Sequence, residues 1–267
     1  MVGRVLTIAG SDPSGGAGIQ ADIKTITMLG SYASSAITAL TVQNTQAVYS
    51  VHPCEPQLVY DQIITVLSDI GADVIKTGML GDAMTIKAVD IALEDSGYDG
   101  ALVVDPVMIA TSGSKLLADD AINLMRNVMV PKSTVLTPNI PEAEVLTGHK
   151  IKDRQDMEIS GQQILELGAE AVLMKGGHLK GDKVIDILMN KQGVQAVFER
   201  PKIVTKQTHG TGCTLASAVA TGLAMGMTLN DAIKQAVYFV DQAIKNAPNL
   251  GQGQGPLGHA QVSVDED

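Results

Sequence analysis

Short apolar runs alternate along the chain with longer segments in which apolar residues recur at helical spacing. Apolar runs of roughly four to eight residues between turn signals are typical of buried strands. The pattern predicts strands at residues 4–9, 32–42, 73–77, 101–104, 133–137 and 171–175, and helices at 19–29, 56–70, 84–95, 119–129, 159–167 and from residues 211 and 231. Because strands alternate with helices, we expect an α/β fold with a mainly parallel central sheet and helices on both faces.

Two further runs, residues 184–189 and 194–200, are joined by Asn190-Lys191-Gln192-Gly193 and predict an antiparallel hairpin. No internal repeat, long linker or break in composition divides the 267 residues. We therefore predict one domain over residues 1–260. The acidic tail, residues 261–267, is expected to be disordered.

Charge, hydropathy and cysteine content indicate which partners and which cellular compartment to expect. The formal net charge of -10 disfavours nucleic acid, whose phosphates attract basic surfaces. The longest uncharged stretch, residues 211–230, contains threonines, a serine and glycines, so we expect a packed helix there and no membrane partner. Cys54 and Cys213 make no disulfide framework and no basic-then-apolar leader opens the chain, which together indicate a cytoplasmic protein.

The segment Thr208-His209-Gly210-Thr211-Gly212-Cys213-Thr214 leads into a small, apolar helix. Gly210 and Gly212 favour a tight turn, because glycine accepts positive φ at little cost. A turn before a helix start directs unpaired N–H groups and the positive end of the helix dipole at one point, which suits an anion. Cys213 would lie in that first turn, where the pKa of a thiol can fall well below its free value of about 8.5. A tight loop with an inert buried cysteine explains these residues equally well.

Ligands of open parallel sheets bind beyond the carboxyl ends of the strands. Polar residues stand at those ends repeatedly: Asp12, Gln43, Lys76, Asp105, Asn139, Glu142 and Lys175. A single acid at a strand end is ordinarily a helix cap, and Asn139 with Glu142 is close to a capping-box pattern. His209 is interpreted either as a ligand contact or as a hydrogen-bonded structural histidine.

A second glycine-rich turn, residues 10–18, follows the first strand. Its spacing matches neither the dinucleotide fingerprint nor the phosphate loop that ends in Gly-Lys-Ser/Thr. Acids, one lysine and a group of N–H donors at a helix start are instead the components of phosphoryl transfer. Mg²⁺ neutralises the polyphosphate, the lysine holds it, and a base takes the proton of the acceptor. The two glycines after Lys175 would let phosphates approach the backbone.

Motifs spread over the whole chain carry a resemblance to a known family. They are residues 9–22 (AGSDPSGGAGIQAD), 41–45 (TVQNT), 76–80 (KTGML), 105–108 (DPVM), 137–144 (TPNIPEAE), 175–178 (KGGH) and 208–214 (THGTGCT). Through them the chain resembles the ribokinase-like superfamily and, within it, the hydroxymethylpyrimidine/phosphomethylpyrimidine kinases of thiamine biosynthesis. The resemblance extends over roughly residues 3–260, and the motifs taken together are highly specific.

The resemblance implies a ribokinase-type domain without a large lid, a homodimer, and the use of ATP with Mg²⁺. It implies phosphorylation of 4-amino-5-hydroxymethyl-2-methylpyrimidine to the monophosphate and then to the diphosphate. Carried over by position, Gly210, Thr211, Gly212 and Cys213 form the anion hole, and Cys213 takes the place of the catalytic base. Lys175 contacts the ATP phosphates, Asp105 and Asn139 serve the nucleotide, and Asp105 and Glu142 serve the metal. Gln43 recognises the pyrimidine in a pocket lined by Asp22, Met79 and Val107.

The sequence departs from the family pattern at two places. Residues 204–207 read Val-Thr-Lys-Gln, which could alter nucleotide contacts, and residues 251–256 replace histidines common in relatives, so the tail receives no catalytic role. Two other functions stay open at this point. One is a pyridoxal/pyridoxine kinase, an activity that only Gln43 and its pocket distinguish from phosphorylation of the hydroxymethylpyrimidine. The other is a non-catalytic pyrimidine-binding sensor, which would have no use for Lys175, Asp105, Glu142 and Cys213.

Overall fold

The computed structural model describes residues 2–108 and 119–262. Its strands are β1 Arg4–Ser11, β2 Tyr32–Gln43, β3 Val48–Pro53, β4 Val74–Thr77, β5 Ala101–Val104, β6 Val135–Leu136, β7 Ala171–Lys175, β8 Lys183–Asn190 and β9 Gly193–Pro201. Its helices are α1 Gly18–Met28, α2 Pro56–Asp69, α3 Ala83–Asp95, α4 Asp119–Leu124, α5 Val130–Lys132, α6 Ile140–Thr147, α7 Arg154–Glu166, α8 Thr211–Ala224 and α9 Leu229–Lys245. A π-helical turn, Met125–Met129, joins α4 to α5, and a short 3-10 helix spans His259–Gln261.

Within the described residues the strands form one nine-stranded sheet in the order β3-β2-β1-β4-β5-β6-β7-β8-β9. The strands from β2 to β7 pair in parallel, which places their carboxyl ends at one edge. The outer strands β3, β8 and β9 pair antiparallel. The predicted mainly parallel sheet and the hairpin β8–β9 are confirmed, whereas β3 is an addition to the predicted elements.

Helices cover both faces of the sheet because its central strands are apolar on both sides. Leu6 and Ile8 of β1 belong to a core cluster under α2, α3, α6 and α7. Val5, which points to the opposite face, belongs to a second cluster under α1, α8 and α9. Adjacent residues of a strand point to opposite faces, so a continuous apolar run buries both. The two-sided core holds the parallel strand ends, and the loops that follow them, at fixed positions.

Several element boundaries differ from the predicted ones for local reasons. Helix α7 begins at Arg154 rather than at residue 159, because the Asp153 side chain accepts a hydrogen bond from the Asp156 N–H and caps the helix. The segment predicted as a cap at Asn139 continues as α6. Strand β6 is shorter than its apolar run, and the helix predicted to end at residue 129 continues to Lys132.

The described part of the chain holds no helix long and apolar enough to cross a membrane. At its C-terminal end, Val262 is buried in the second core cluster. Residues 263–267 of the predicted disordered tail lie outside the described residues.

Candidate active site

A cavity of about 580 Å³ opens at the carboxyl ends of the parallel strands. It brings together side chains from β2, β7, α6, α8 and the intervening loops. The predicted site residues that line it are Gln43, Met79, Asp105, Val107, Asn139, Glu142, Lys175, Gly210, Thr211, Gly212 and Cys213. Segments far apart in sequence therefore meet at one mouth, as the parallel strand order requires.

The start of α8 forms the floor of this cavity. Gly210 caps the helix with a φ of 83°, a left-handed conformation that favours glycine. A Cβ at Gly210 would lie 1.8 Å from the Gly16 carbonyl oxygen, so the turn also packs directly against the first glycine-rich loop. The Thr211 N–H donates to the Thr208 carbonyl oxygen at 3.3 Å, and the N–H groups of Gly212 and Cys213, which line the cavity, have no partner within the helix. This geometry suits the binding of an anion.

Asp12 organises the first glycine-rich loop. Its carboxylate accepts hydrogen bonds from the N–H groups of Ser14, Gly16 and Ala17 and lies 2.8 Å from His209 Nε2. Burial raises the pKa of Asp12, but the hydrogen bonds from His209 and Ser14 outweigh burial and hold the pKa below its usual value. The Asp12–His209 pair thus joins the two glycine turns, and of the two interpretations of His209 this contact supports the structural one.

Lys175 reaches across the cavity to the start of α8. Its Nζ donates to Asp105 Oδ1 at 2.9 Å, and Thr137 Oγ1 donates to the same oxygen at 3.2 Å. A Cβ at Gly212 would lie 3.2 Å from Lys175 Nζ and 3.6 Å from Asp105 Oδ2. The lysine, the acid and the turn are therefore adjacent. The neighbouring carboxylates outweigh the effect of burial and raise the pKa of Lys175, so it is a cation in the site.

Asn139 and Glu142 cap helix α6 and also face the cavity. The Glu142 side chain accepts from the Asn139 N–H at 2.8 Å, and the Asn139 side chain accepts from the Glu142 N–H at 3.0 Å. This is the predicted capping box. Burial raises the pKa of Glu142 to about 7, with a further upward contribution from Asp105 and an opposing one from Lys175.

The carboxylates of Asp105 and Glu142 fit a magnesium ion bound together with phosphates. The described residues hold no cluster of three or more His, Cys, Asp or Glu side chains that could bind a metal on its own. Mg²⁺ usually takes only one or two protein carboxylates and completes its shell with water and substrate phosphates. Because burial is the main cause of the raised pKa of Glu142, a cation bound beside it would favour its ionised form.

Cys213 lies in the first turn of α8 and lines the cavity, as predicted, but its expected low pKa is not found. Burial raises the pKa of the thiol to about 12, and the nearby carboxylates of Asp22 and Asp105 add to the effect. The Lys76 ammonium opposes the increase and is outweighed. A helix start and a nearby cation lower the pKa of a thiol, whereas burial raises it, and here burial outweighs both. Cys213 is therefore a neutral thiol in the protein without ligands.

Asp22 and Lys76 lie beneath the cavity rather than in its lining. Both are fully buried, and Lys76 Nζ donates to the two carboxylate oxygens of Asp22 at 2.8 and 2.9 Å. Thr7 Oγ1 donates to Asp22 at 2.5 Å and Ser217 Oγ at 2.7 Å. The carboxylate predicted to line the pyrimidine pocket is thus engaged entirely with protein groups.

Gln43 lines the same cavity as Lys175. Its Oε1 accepts from Thr41 Oγ1 at 3.3 Å, and its Nε2 lies 3.2 Å from His209 Nε2. Met79, which is buried, and Val107 supply the apolar surfaces beside it. A polar amide between apolar side chains suits a flat heterocycle that carries hydrogen-bonding edges.

The cavity lining also contains a charged group that no motif in the sequence marks. Arg200 Nη1 donates to Asp186 at 2.7 Å, and its Nε donates to Asp241 at 2.9 Å. Asp186 also accepts from the Gly176 N–H at 2.9 Å, so the group fixes the turn after Lys175. The three residues come from β8, β9 and α9 and form no motif, so no spacing in the sequence indicates them. Val204, one of the departures from the family pattern, is almost fully exposed and lies outside the cavity lining.

Fold and site together define a phosphotransferase of the ribokinase-like class. The family model described as phosphomethylpyrimidine kinase matches residues 12–258. The chain is 42% identical over 256 residues to the hydroxymethylpyrimidine/phosphomethylpyrimidine kinase of Bacillus subtilis, covering 96% of this chain and 94% of that protein. The chain belongs to the phosphomethylpyrimidine kinase family.

Two other similarities bear on function. The chain is 48% identical over 263 residues to the thiamine biosynthesis bifunctional protein ThiED of Geobacter sulfurreducens, covering 98% of this chain but only 53% of that protein. The pyridoxal kinase from Staphylococcus aureus, solved in complex with AMP-PCP, superposes with a TM-score of 0.90 at 36% identity and covers all of this chain and 96% of its own. The fold is thus shared with an enzyme that binds an ATP analogue.

Proposed function

We propose that the protein transfers the γ-phosphoryl group of ATP to the hydroxymethyl oxygen of 4-amino-5-hydroxymethyl-2-methylpyrimidine, and then to the resulting monophosphate. The observation that carries this proposal is the shared cavity: Lys175, Asp105, Glu142 and Cys213 line the same space as Gln43. The relatives named for these two kinase activities support it. A binding sensor would need only the Gln43 side of that cavity.

The start of α8 and Lys175 bind the phosphoryl group that is transferred. The N–H groups of Gly210, Thr211, Gly212 and Cys213 stabilise the charge that builds on the transferred group. Lys175, held by Asp105 at 2.9 Å, supplies a positive charge next to that turn. The donors are fixed before substrate arrives, so little reorganisation is needed at the moment of transfer.

The proposed reaction uses Mg²⁺, and two carboxylates of the cavity are suited to bind it. Asp105 and Glu142 would hold it, with Asn139 keeping the Glu142 carboxylate in place through the capping box. When bound, Mg²⁺ neutralises the polyphosphate and so lowers the barrier to attack by an oxygen nucleophile. Glu142 must be ionised for this task, and a cation beside it lowers its pKa toward its ordinary value.

Recognition of the pyrimidine falls to Gln43. Its amide carries one donor group and one acceptor, which match the amino group and the adjacent ring nitrogen of an aminopyrimidine. Met79 and Val107 cover the faces of the ring. Thr41 and His209 already contact the two halves of the amide, and its second N–H and second oxygen lone pair serve the ring. Leaving a polar group unpaired in the site costs about 1–3 kcal/mol, which favours a substrate that satisfies both.

Pyridoxal phosphorylation is the second candidate activity, because the superposed Staphylococcus aureus protein is a pyridoxal kinase. The two substrates are compared in one assay that follows ADP release with each. We expect kcat/KM for the pyrimidine to exceed that for pyridoxal. In Gln43→Leu we expect pyrimidine kcat/KM to fall by about 5- to 150-fold, the equivalent of one lost buried hydrogen bond. Gln57→Leu, an exposed substitution on α2, is the control. Unchanged pyrimidine turnover in Gln43→Leu would contradict the assigned role.

The proposal includes a homodimer in the cytoplasm. The end of β2 and the edge strand β3 expose four apolar side chains, Leu40, Val42, Tyr49 and Val51. An exposed apolar edge of this kind is typical of a surface covered by protein. The occupant we infer is a second copy of the chain, as the family resemblance implies. Both cysteines are free thiols, in keeping with a reducing compartment.

A further inference from the structure

The segment Gly251-Gln252-Gly253-Gln254-Gly255-Pro256, here called the glycine strap, runs between two loops of the active site. One is the substrate loop, residues 43–46, which begins with Gln43. The other is the anion loop, residues 206–210, which leads into α8. The departure of this segment from the family pattern gave no reason to assign it a role, but its contacts do.

On one side the glycine strap is bonded to the substrate loop. The Gln254 N–H donates to the Thr45 carbonyl oxygen at 2.7 Å, and the Gly253 N–H donates to Thr45 Oγ1 at 3.2 Å. Gln46 Nε2 donates to Gln252 Oε1 at 3.1 Å. Thr45 is two residues from Gln43, so these bonds fix the backbone that carries the recognising amide.

On the other side the glycine strap is bonded to the anion loop. The Gly255 N–H donates to the Lys206 carbonyl oxygen, and the His209 N–H donates to the Gly255 carbonyl oxygen, both at 3.0 Å. Thr208 Oγ1 donates to Gln254 Oε1 at 3.1 Å. Residue 254 therefore touches both loops, through its backbone on one side and its side chain on the other.

The alternation of glycine follows from how closely the three segments pack. A Cβ at Gly251 would lie 2.3 Å from Thr45 Oγ1, and one at Gly253 would lie 2.0 Å from the Thr45 carbonyl oxygen. A Cβ at Gly255 would lie 1.8 Å from Gln207 Oε1. The two glutamines between them reach the same loops through their side chains: Gln252 bonds to Gln46 and Gln254 bonds to Thr208.

The end of the glycine strap is anchored in the core beside the catalytic helix. Leu257 is buried in the second core cluster, and the Gly258 N–H donates to the Ala243 carbonyl oxygen of α9 at 2.8 Å. His259 Nε2 lies 2.8 Å from Thr214 Oγ1, one residue after Cys213. The strap is thus fixed at the end that follows it along the chain and bonded to both active-site loops.

We propose that the glycine strap is a positioning element that sets the distance between Gln43 and the anion turn, and so places the acceptor hydroxyl against the phosphoryl group. The inference rests on the proposed function for the identity of the acceptor. Its geometry concerns only this chain. The strap acts through the two loops and does not itself contact the reacting atoms.

Gly253→Ala tests the proposal by forcing the strap away from Thr45, and Thr45→Val removes one bond without adding a clash. Leu250→Ala, an exposed substitution just before the strap, is the control. We expect KM for the pyrimidine to rise about tenfold in Gly253→Ala, since misplacement by a fraction of an ångström is costly to catalysis. KM for ATP should rise by less than KM for the pyrimidine, because a Cβ at Gly253 would meet Thr45 of the substrate loop rather than α8.

Hydrogen–deuterium exchange provides a readout that needs no substrate. In Gly253→Ala and in Thr45→Val we expect the backbone amides of both the substrate loop and the anion loop to exchange faster than in the unmodified protein. In Leu250→Ala we expect the exchange rates of these loops to be unchanged. Faster exchange confined to residues 43–46, or an equal rise in KM for both substrates, would overturn the proposal. If the unmodified protein does not phosphorylate the pyrimidine, the proposed function fails while the exchange data still decide the role of the strap.

Discussion

The family resemblance gives Cys213 the place of the base that takes the hydroxymethyl proton. Its thiol is neutral, because burial raises its pKa to about 12. At any pH well below this pKa only a small fraction of Cys213 is thiolate, and that fraction increases tenfold with each unit by which the pH rises. A hydroxymethyl group must lose a proton as it attacks, whereas a phosphate monoester is already mostly ionised at neutral pH. The two phosphorylations therefore make different demands on the thiol.

We predict that Cys213→Ala slows the first phosphorylation more than the second in single-turnover assays. In the unmodified protein the first rate should rise about tenfold per pH unit between pH 6.5 and 8.5, as expected for catalysis by the ionised form of a group with a high pKa. This dependence should vanish in Cys213→Ala. Equal losses in both steps, with no change in the pH profile, would make Cys213 a packing residue rather than a base.

The individual site residues were predictable where a motif or a strand end marks them. Gln43 and Lys175 end β2 and β7, and Asp105 follows β5, so the parallel sheet brings them to one edge. The state of Asp22 and of Cys213 was not predictable, because it depends on burial and on partners far along the chain. Asp22 is engaged by Lys76 and Ser217, which lie 54 and 195 residues away. No local pattern carries that information.

Lys76 and Asp22 form an ion pair that connects secondary-structure elements and does not line the cavity. Their buried ion pair joins β4 to α1, and the bonds from Thr7 and Ser217 extend the connection to β1 and α8. Removing one partner of a buried pair leaves the other charge uncompensated, which is costlier than removing both. Through Ser217, the pair thus holds the middle of α8 against the sheet.

We predict that Lys76→Met lowers the free energy of unfolding by about 3–5 kcal/mol. Adding Asp22→Asn should recover part of the loss, because the amide can still accept from Thr7 and Ser217 without a buried charge. Urea unfolding of the two single variants and the double variant measures this coupling. Strictly additive losses would mean that the two residues stabilise the fold independently.

His259 links the 3-10 helix at the end of the described chain to α8. It is buried against Phe239 and bonded to Thr214 Oγ1, and burial lowers its pKa to about 4. The folded state therefore holds the neutral imidazole where the unfolded chain, with a pKa of about 6.5, binds a proton. Stability from this group is complete above pH 6.5 and is lost as the pH falls toward 4.

We predict that the free energy of unfolding falls by about 1.4 kcal/mol per pH unit from this group between pH 6.5 and 4. His259→Gln removes the titration and keeps a polar group near Thr214. The comparison is the difference in pH slope between the two proteins, measured by urea unfolding at several pH values. Identical slopes would show that His259 does not titrate on unfolding.

Elements with their own sequence signals were predictable, and those created by tertiary context were not. The strand–helix alternation predicts the parallel order, and the turn at residues 190–193 predicts the hairpin. Strand β3 is half polar and ends at His52-Pro53, so its extended form depends on pairing with β2. Helix α6 follows the strand end at Thr137 within a proline-containing segment, and only its capping box was visible.

At the scale of the whole molecule, the exposed edge of the sheet predicts the assembly. Tyr49 and Val51 project from β3 with 62% and 39% of their surfaces exposed. We expect sedimentation to give twice the 27.9 kDa mass of the chain, and the double variant Tyr49→Glu/Val51→Glu to sediment as a monomer. Met84→Glu, an exposed site on α3, is the control. A dimer that survives the double substitution would place the interface elsewhere.

The prediction of one domain over residues 1–260 stays a prediction. Within the described residues, the single sheet runs from β3 to β9 with the cavity along its carboxyl edge. The cavity is built from loops at both ends of the sequence, so it depends on the whole parallel order.

The central claim is that this one cavity transfers phosphoryl groups to a small heterocyclic alcohol. The most direct measurement is phosphorus NMR of the protein incubated with Mg-ATP and 4-amino-5-hydroxymethyl-2-methylpyrimidine. We predict that the pyrimidine monophosphate forms first and the diphosphate second, with one ADP for each transfer, and that Lys175→Met abolishes both. ADP release without a phosphorylated pyrimidine, or binding of both ligands without transfer, would contradict the account.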